Sequence, residues 1–232
     1  MAYNILLKRD LFEILTVTGS SHEFPVHMHR WPCAERVDCG ARHVFMGGKD
    51  HLLLEGDIFF IPAGVPHSCR ADEGGAVSYT VLTIHDFKTV TEEMLLRELE
   101  AAGIDAGDIS AMYRRIISGS ADTGSPDSRI AGLMSYIDEN CLQELPAKDL
   151  AALTGLSVHH LLHRFTEETG ISLHRYIIQS RLRRSRRAMS SGGDISGTAL
   201  DCGFFDQSHF TRHFLRHTGI TPGRYMESLK DI

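Results

Sequence analysis

Cysteine occurs in this sequence without any pattern that would let it staple a fold. The five residues, Cys33, Cys39, Cys69, Cys141 and Cys202, are odd in number and form no C-x-x-C pair. A disulfide scaffold and a C-x-x-C zinc or redox motif are thereby excluded, and free thiols in a reducing cytoplasm are expected. Long hydrophobic runs are missing too. None approaches the ~20 residues of a membrane span, so no membrane partner is expected. The opening Met-Ala-Tyr-Asn-Ile-Leu-Leu-Lys-Arg-Asp puts its basic residues after its apolar ones and has no small-residue cleavage site. It is not expected to act as a secretory signal. An excess of positive charge is also lacking, the net charge being −6 at pH 7.

The 232 residues are 42% hydrophobic and 23% charged, the balance of a soluble globular protein with room for two modest domains. The charge is uneven. Residues 1–127 hold 11 Lys+Arg and 19 Asp+Glu, a net −8, whereas residues 128–232 hold 13 and 11, a net +2. Only the second half is suited to meet a polyanion.

The first half has β texture. Short apolar runs, Leu11–Val17, Val44–Met46, Leu52–Leu54, Ile58–Ile61 and Val77–Ile84, alternate with turns such as Gly47-Gly48 and Glu55-Gly56-Asp57. Many short strands at this spacing imply a small antiparallel sandwich or barrel. His27 and His29 are two apart and project together if they lie on a strand; Cys33 and Glu35 share that parity if the strand runs straight. A second cluster is Gly56, Pro62, Gly64 and His67. These residues resemble the two motifs of the cupin superfamily, H-x-H-x(3,4)-E and G-x(5)-P-x-G-x(2)-H. The second is matched in full. In the first, Glu35 comes one or two residues late and Cys33 occupies the nearest position for the acid. The resemblance implies a ligand set of His27, His29, His67 and either Cys33 or Glu35 for one divalent transition metal, Zn, Ni, Fe or Cu. The other expectation is a metal-free barrel whose histidines line a pocket for a small-molecule effector. Trp31 is expected to pack in the core or at a rim.

Helical periodicity follows. Met94, Leu95, Leu99 and Ala102 make one stripe between Thr91 and Gly103, and Ile109, Met112, Tyr113, Ile116 and Ile117 make another over 106–118. The pair is expected either to cover the barrel or to meet a second copy. A Ser/Gly/Asp/Pro-rich stretch, 119–127, reads as a linker. The expected division is a sensor barrel over 1–86, the helical pair over 87–118, the linker, and a helical domain over 128–232.

That last domain contains an internal repeat. Gly155–Tyr176 matches Gly203–Tyr225: Leu161 with Phe210, Phe165 with Phe214, Thr169-Gly170-Ile171 with Thr218-Gly219-Ile220, and Arg175-Tyr176 with Arg224-Tyr225, the first copy being one residue shorter in its turn. Ser157 and Asp206 are placed as helix N-caps. Between the copies a longer helix, about Leu173–Met189, carries Arg181, Arg183, Arg184, Arg186 and Arg187, expected as phosphate contacts or solvated charges.

Residues 128–228 resemble the AraC/XylS family of transcription regulators, through Ala151–Ser157, Arg164-Phe165, Gly203-Phe204, Asp206–Phe210, Phe214 and Thr218–Pro222. The resemblance implies an α+β multidomain protein: a cupin-like β-barrel followed by helices, then an all-α domain of two helix-turn-helix units bridged by a long helix. It implies reading helices about one duplex turn (~34 Å) apart in the major groove. The first would present His159, Leu162 and His163, and the second Gln207, Ser208, Thr211 and Arg212. Arg212 suits guanine, Gln207 adenine and Leu162 a thymine methyl. The implied function is a cytoplasmic, ligand-sensing, sequence-specific regulator or activator, homodimeric, with promoter DNA and RNA polymerase as partners. Two rivals are a metal-dependent cupin enzyme (a dioxygenase or isomerase) with a DNA-binding tail, and a thiol redox sensor using Cys33, Cys39 or Cys69.

Overall fold

The computed structural model describes residues 2–8 by backbone alone, and residues 11–86, 88–119 and 128–229. The expected linker lies outside them except for Gly119. The chain divides into two compact units, residues 1–123 with 227–232 and residues 124–226.

In the first unit the strands are β1 (Ala2–Lys8), β2 (Phe12–Ser20), β3 (Phe24–His27), β4 (Cys33–Cys39), β5 (Ala41–Met46), β6 (Lys49–Leu54), β7 (Ile58–Ile61), β8 (His67–Ala71) and β9 (Val77–Ile84). Sheet A has the order β1-β2-β9-β4-β7 and sheet B the order β3-β8-β5-β6, with antiparallel pairing throughout. Gly47 and Gly48, at φ 60° and 76°, form the two-residue turn between β5 and β6.

Sheet A is buried on both faces, which follows from side-chain parity. Leu15 and Val17 of β2, Val37 of β4 and Val77, Tyr79 and Val81 of β9 join Phe24, Val44, Leu53 and Cys69 in the core between the sheets. Phe12, Ile14, Ala34, Leu82 and Ile84 sit on the opposite parity and pack against two helices. The register sets Phe12 opposite Ile84 and Ile14 opposite Leu82, so the outer face is an apolar strip across β2 and β9. The helices are α1 (Glu92–Ala101) and α2 (Gly107–Gly119). Thr91 caps α1 by accepting from the Met94 amide at 3.2 Å. Leu95, Leu99, Ile109, Met112 and Ile116 deliver the apolar face. Tyr113 donates to the Val90 carbonyl at 2.9 Å, and Arg36 of β4 pairs with Asp108. Most of both helical stripes is thus consumed by their own sheet, whereas Ala102 and Ile117, expected to face inward, are exposed.

In the second unit, α3 (Ser128–Asn140) and α4 (Ala147–Thr154) precede α5 (Val158–Thr169). The bridge α6 (Leu173–Ser190) leads to α7 (Ile195–Asp201), α8 (Gln207–Thr218) and α9 (Pro222–Ser228). The sequence repeat is a repeat of hydrogen bonds. The Leu156 and Phe204 amides donate to Ala151 and Ala199 carbonyls at 3.1 and 3.0 Å. Ser157 and Asp206 cap α5 and α8 through the His160 and His209 amides. Thr169 and Thr218 donate to Phe165 and Phe214 carbonyls at 2.6 and 2.7 Å and accept from the Ile171 and Ile220 amides. The tyrosines Tyr176 and Tyr225 close each copy against Phe165 and Phe214, with ring centroids 5.6 and 5.5 Å apart.

Three of the five bridge arginines, Arg181, Arg183 and Arg184, have protein partners instead of standing as solvated charges, whereas Arg187 is exposed. Arg181 donates to the Cys141, Gly203 and Gln143 carbonyls at 2.8, 2.7 and 3.1 Å. Arg183 pairs with the buried Asp138 at 2.6 Å, and Arg184 donates to the Asp138 carbonyl at 3.2 Å. The cause is geometric: these side chains face the ends of α3 and α7, where helix carbonyls lack intrahelical donors. Gly203 completes the fit, since a Cβ there would come 2.9 Å from the Arg181 guanidinium carbon. Arg181→Ala is expected to cost about 3 kcal/mol in denaturant unfolding, with Arg181→Lys failing to rescue it because a point charge cannot serve three carbonyls. An unchanged unfolding midpoint for both would remove the staple.

Candidate effector site and reading helices

β3 stops at His27, and residues 28–32 carry the chain from sheet B to sheet A, where β4 begins at Cys33. The strand that would have aligned His27, His29, Cys33 and Glu35 is therefore broken. The register pairs His27 with His67 across β3 and β8. His29 follows from the connection, and the three imidazoles converge: ring centroids are 5.1 Å apart for His27–His29, 4.2 Å for His27–His67 and 4.7 Å for His29–His67. One ligand atom from each lies within 4.8 Å of the others, the one metal-type cluster among the described residues.

The outward nitrogens are engaged. His27 Nδ1 lies 2.8 Å from the Pro25 carbonyl and His67 Nδ1 lies 2.9 Å from that of Val65, so in each ring Nδ1–H is the donor. His29 Nδ1 lies 3.0 Å from Cys33 Sγ. This leaves Nε2 of His67 buried without a hydrogen-bond partner. Burial pushes the His67 imidazole down to about 4, the Val65 hydrogen bond opposing and the Arg42 charge reinforcing the shift.

Glu35 is not brought to this cluster. It faces inward from β4 and pairs with Arg42 of β5, both nearly inaccessible to water. The Arg42 guanidinium also lies 3.8 Å over the Tyr79 ring. Burial pushes the Glu35 carboxyl up, against the pull of Arg42. Burial would lower Arg42, but Glu35, Tyr79 and Cys69 together outweigh it and keep the guanidinium charged. Cys33 is buried, and burial followed by the nearby Glu35 raises its thiol well above the ordinary range; Cys69 is pushed up to about 12. Arg42 carried no motif signal, and sequence reasoning missed it. Trp31 is half-buried with its ring 4.2 Å from that of His85, and His43 sits between Asp50 and Asp72.

In the helical unit, Leu161 and Phe165 bury the rear of α5, and Phe210 and Phe214 the rear of α8. His159, Leu162 and His163 are exposed on α5; Gln207, Ser208 and Arg212 are exposed on α8, with Thr211 half-buried. The repeat's offset carries His159 onto Ser208, Leu162 onto Thr211 and His163 onto Arg212, so both helices present the same face. His213 is half-buried near Phe204. Helix α9 escaped the sequence reading although Thr221-Pro222, a cap followed by a first-turn proline, marks its start.

The comparisons with known proteins agree with this arrangement. The model of the AraC-like ligand binding domain matches residues 12–134, and that of a helix-turn-helix domain matches residues 150–228. The uncharacterized HTH-type transcriptional regulator YbfI of Bacillus subtilis (strain 168) is 22% identical over 227 residues, spanning 82% of this chain and 82% of YbfI. The HTH-type transcriptional activator RhaS of Klebsiella pneumoniae (strain 342) is 24% identical over 149 residues, 58% of this chain and 54% of RhaS. Among solved structures, ToxT from Vibrio cholerae O395 shares the fold at TM-score 0.67 and 13% identity, over 97% of this chain and 100% of ToxT. A ligand-binding β domain followed by a helix-turn-helix domain defines a transcriptional regulator. The chain belongs to the AraC family. No helix among the described residues is long and apolar enough to cross a membrane.

The His67 shift has a consequence for stability. The folded state resists protonating this imidazole whereas the unfolded chain does not, so stability is whole above the unfolded value near 6.5 and falls as pH drops toward 4, by up to about 3 kcal/mol. His67→Gln should flatten that acid-side loss in pH-dependent unfolding. A His67 ring that titrates near pH 6.5 by NMR would refute the assignment.

Proposed function

We propose that this AraC-family regulator is a cytoplasmic homodimer whose barrel takes one divalent transition metal at His27, His29 and His67, and that metal occupancy alters promoter affinity. The observation that carries the metal reading is the buried, unpartnered Nε2 of His67, aimed into a cluster of three imidazoles. A bare buried acceptor is costly, and a cation with imidazole affinity such as Zn, Ni, Fe or Cu relieves it. The residues fit: backbone carbonyls hold the His27 and His67 tautomers, the outer-shell arrangement that orients imidazole ligands. When bound, such an ion supplies a divalent charge and a coordination position for an anion or effector. A ligand of this kind modulates DNA binding through unequal affinity for two arrangements of the protein.

A small organic acid in the same interior is the second reading. Arg42 Nη1 is buried without a hydrogen-bond partner, and ToxT, a neighbour in fold, has been solved bound to an unsaturated fatty acid. We read the chain as a regulator and not as a cupin enzyme, because Glu35, the acid nearest the cluster in sequence, is engaged by Arg42. The thiol-sensor reading is weakened at Cys33 and Cys69, where burial raises the thiols and suppresses the thiolate, and rests on Cys39, which is exposed.

On the DNA side, His159, Leu162 and His163 of α5 and Gln207, Ser208, Thr211 and Arg212 of α8 are proposed to read base edges, with RNA polymerase as the partner in activation. Their matched positions on two equivalent helices support this. The barrel is tested by metal analysis of protein purified without chelator. About one equivalent is expected in the parent and none in His27→Ala/His67→Ala; its absence from the folded parent after reconstitution would transfer the site to an organic effector. Arg212→Ala is expected to cost ~1–3 kcal/mol on specific DNA and relax one base pair. Equal loss on random DNA would end its base-reading role.

A further inference from the structure

The turn into α8 holds a residue that the first copy lacks. Leu156 and Phe204 are equivalent by their shared hydrogen bonds, and so are the caps Ser157 and Asp206. Phe205 is therefore the inserted residue. Its side chain is 86% exposed, the most exposed large hydrophobic side chain among the described residues. It is not on a loose loop. The Phe205 amide donates to His209 Nδ1 at 3.4 Å, and Asp206 accepts from the His209 amide at 2.6 Å. Phe204 is buried on one side of it and Phe210 anchors the helix behind. The backbone thus fixes a benzyl group in water, where burial against an apolar partner would gain free energy.

We propose that Phe205 is a specificity-determining residue that packs on a thymine methyl beside the bases read by α8. The inference rests on the base-reading proposal above. In a helix-turn-helix the first residues of the recognition helix reach the base edges, so a side chain two residues before Gln207 meets the same groove. The 5-methyl of thymine is the apolar feature of that groove, and phenylalanine is one of the side chains suited to contact it. The neighbours Gln207 and Ser208 are exposed and polar, so Phe205 is an apolar contact at the edge of a polar face. The first copy, with no residue in this place, relies on Leu162 for such a contact, which predicts unequal thymine demands in the two half-sites.

The experiment uses full-length protein and duplex DNA enriched from a randomised pool by the parent. Phe205→Ala is expected to bind the enriched duplex roughly tenfold more weakly, with unchanged binding to random duplex and an unchanged melting temperature. Replacing thymines one at a time by deoxyuridine, which removes only the methyl, should weaken the parent at one position by a similar factor and leave Phe205→Ala unaffected there. Parent-like affinity of Phe205→Ala for the enriched duplex, with or without altered self-association or polymerase binding, overturns the inference and leaves α8 reading intact. Failure of the parent to enrich any sequence overturns both.

Discussion

Sheet A must bury both of its faces, and much of the first unit follows from that. One parity of β2, β4 and β9 fills the space against sheet B, and the other must find a cover. Helices α1 and α2 supply it, held by the contacts of Arg36 and Tyr113 as well as by apolar packing. A sheet with one wet face would not require them. With the cover on the outside of sheet A, its inward face is free to send Glu35 to Arg42 of sheet B, while the three imidazoles gather at β3, β8 and the connection that follows β3.

The helical unit solves a different problem, the repeated positioning of a helix whose outer face must stay unpartnered. In each copy a capped N-terminus, a pair of buried residues four apart and a threonine hydroxyl bonded across the exit define the helix without using its outer side. Within this unit the bridge α6 then ties the two copies through carbonyl contacts made by arginine. A guanidinium suits this task because it presents several donors in a fixed plane.

Much of this was legible in the residues, and the limits have physical causes. The repeat was readable because turn, apolar pair and exit must recur together. The motif His67 and the pair His27/His29 led directly to one cluster. What failed was the assumption of a straight strand: the passage from sheet B to sheet A between His29 and Cys33 is a tertiary event with no local signature. Strand β4 and the start of β5 were likewise obscured, since Glu35 and Arg42 make interior positions look like surface until their pairing is seen. Arg181, Arg183 and Arg184 of the bridge were misread for a similar reason. Composition reports a cation but not which carbonyl it faces.

That last feature bears on how the regulator responds to its ionic surroundings. Arg181, Arg183 and Arg184 are occupied by protein oxygens, and Arg186 lies over Tyr225 with its guanidinium carbon 5.5 Å from the ring centroid. Fewer cations therefore remain to displace counterions from a duplex than the sequence of α6 implies. The logarithm of affinity falls with the logarithm of salt concentration in proportion to the phosphates neutralised, and these three arginines should add little to that slope. The arginines of α6 thus serve the rigidity of the helical unit, clamping chain ends that would otherwise leave bare carbonyls.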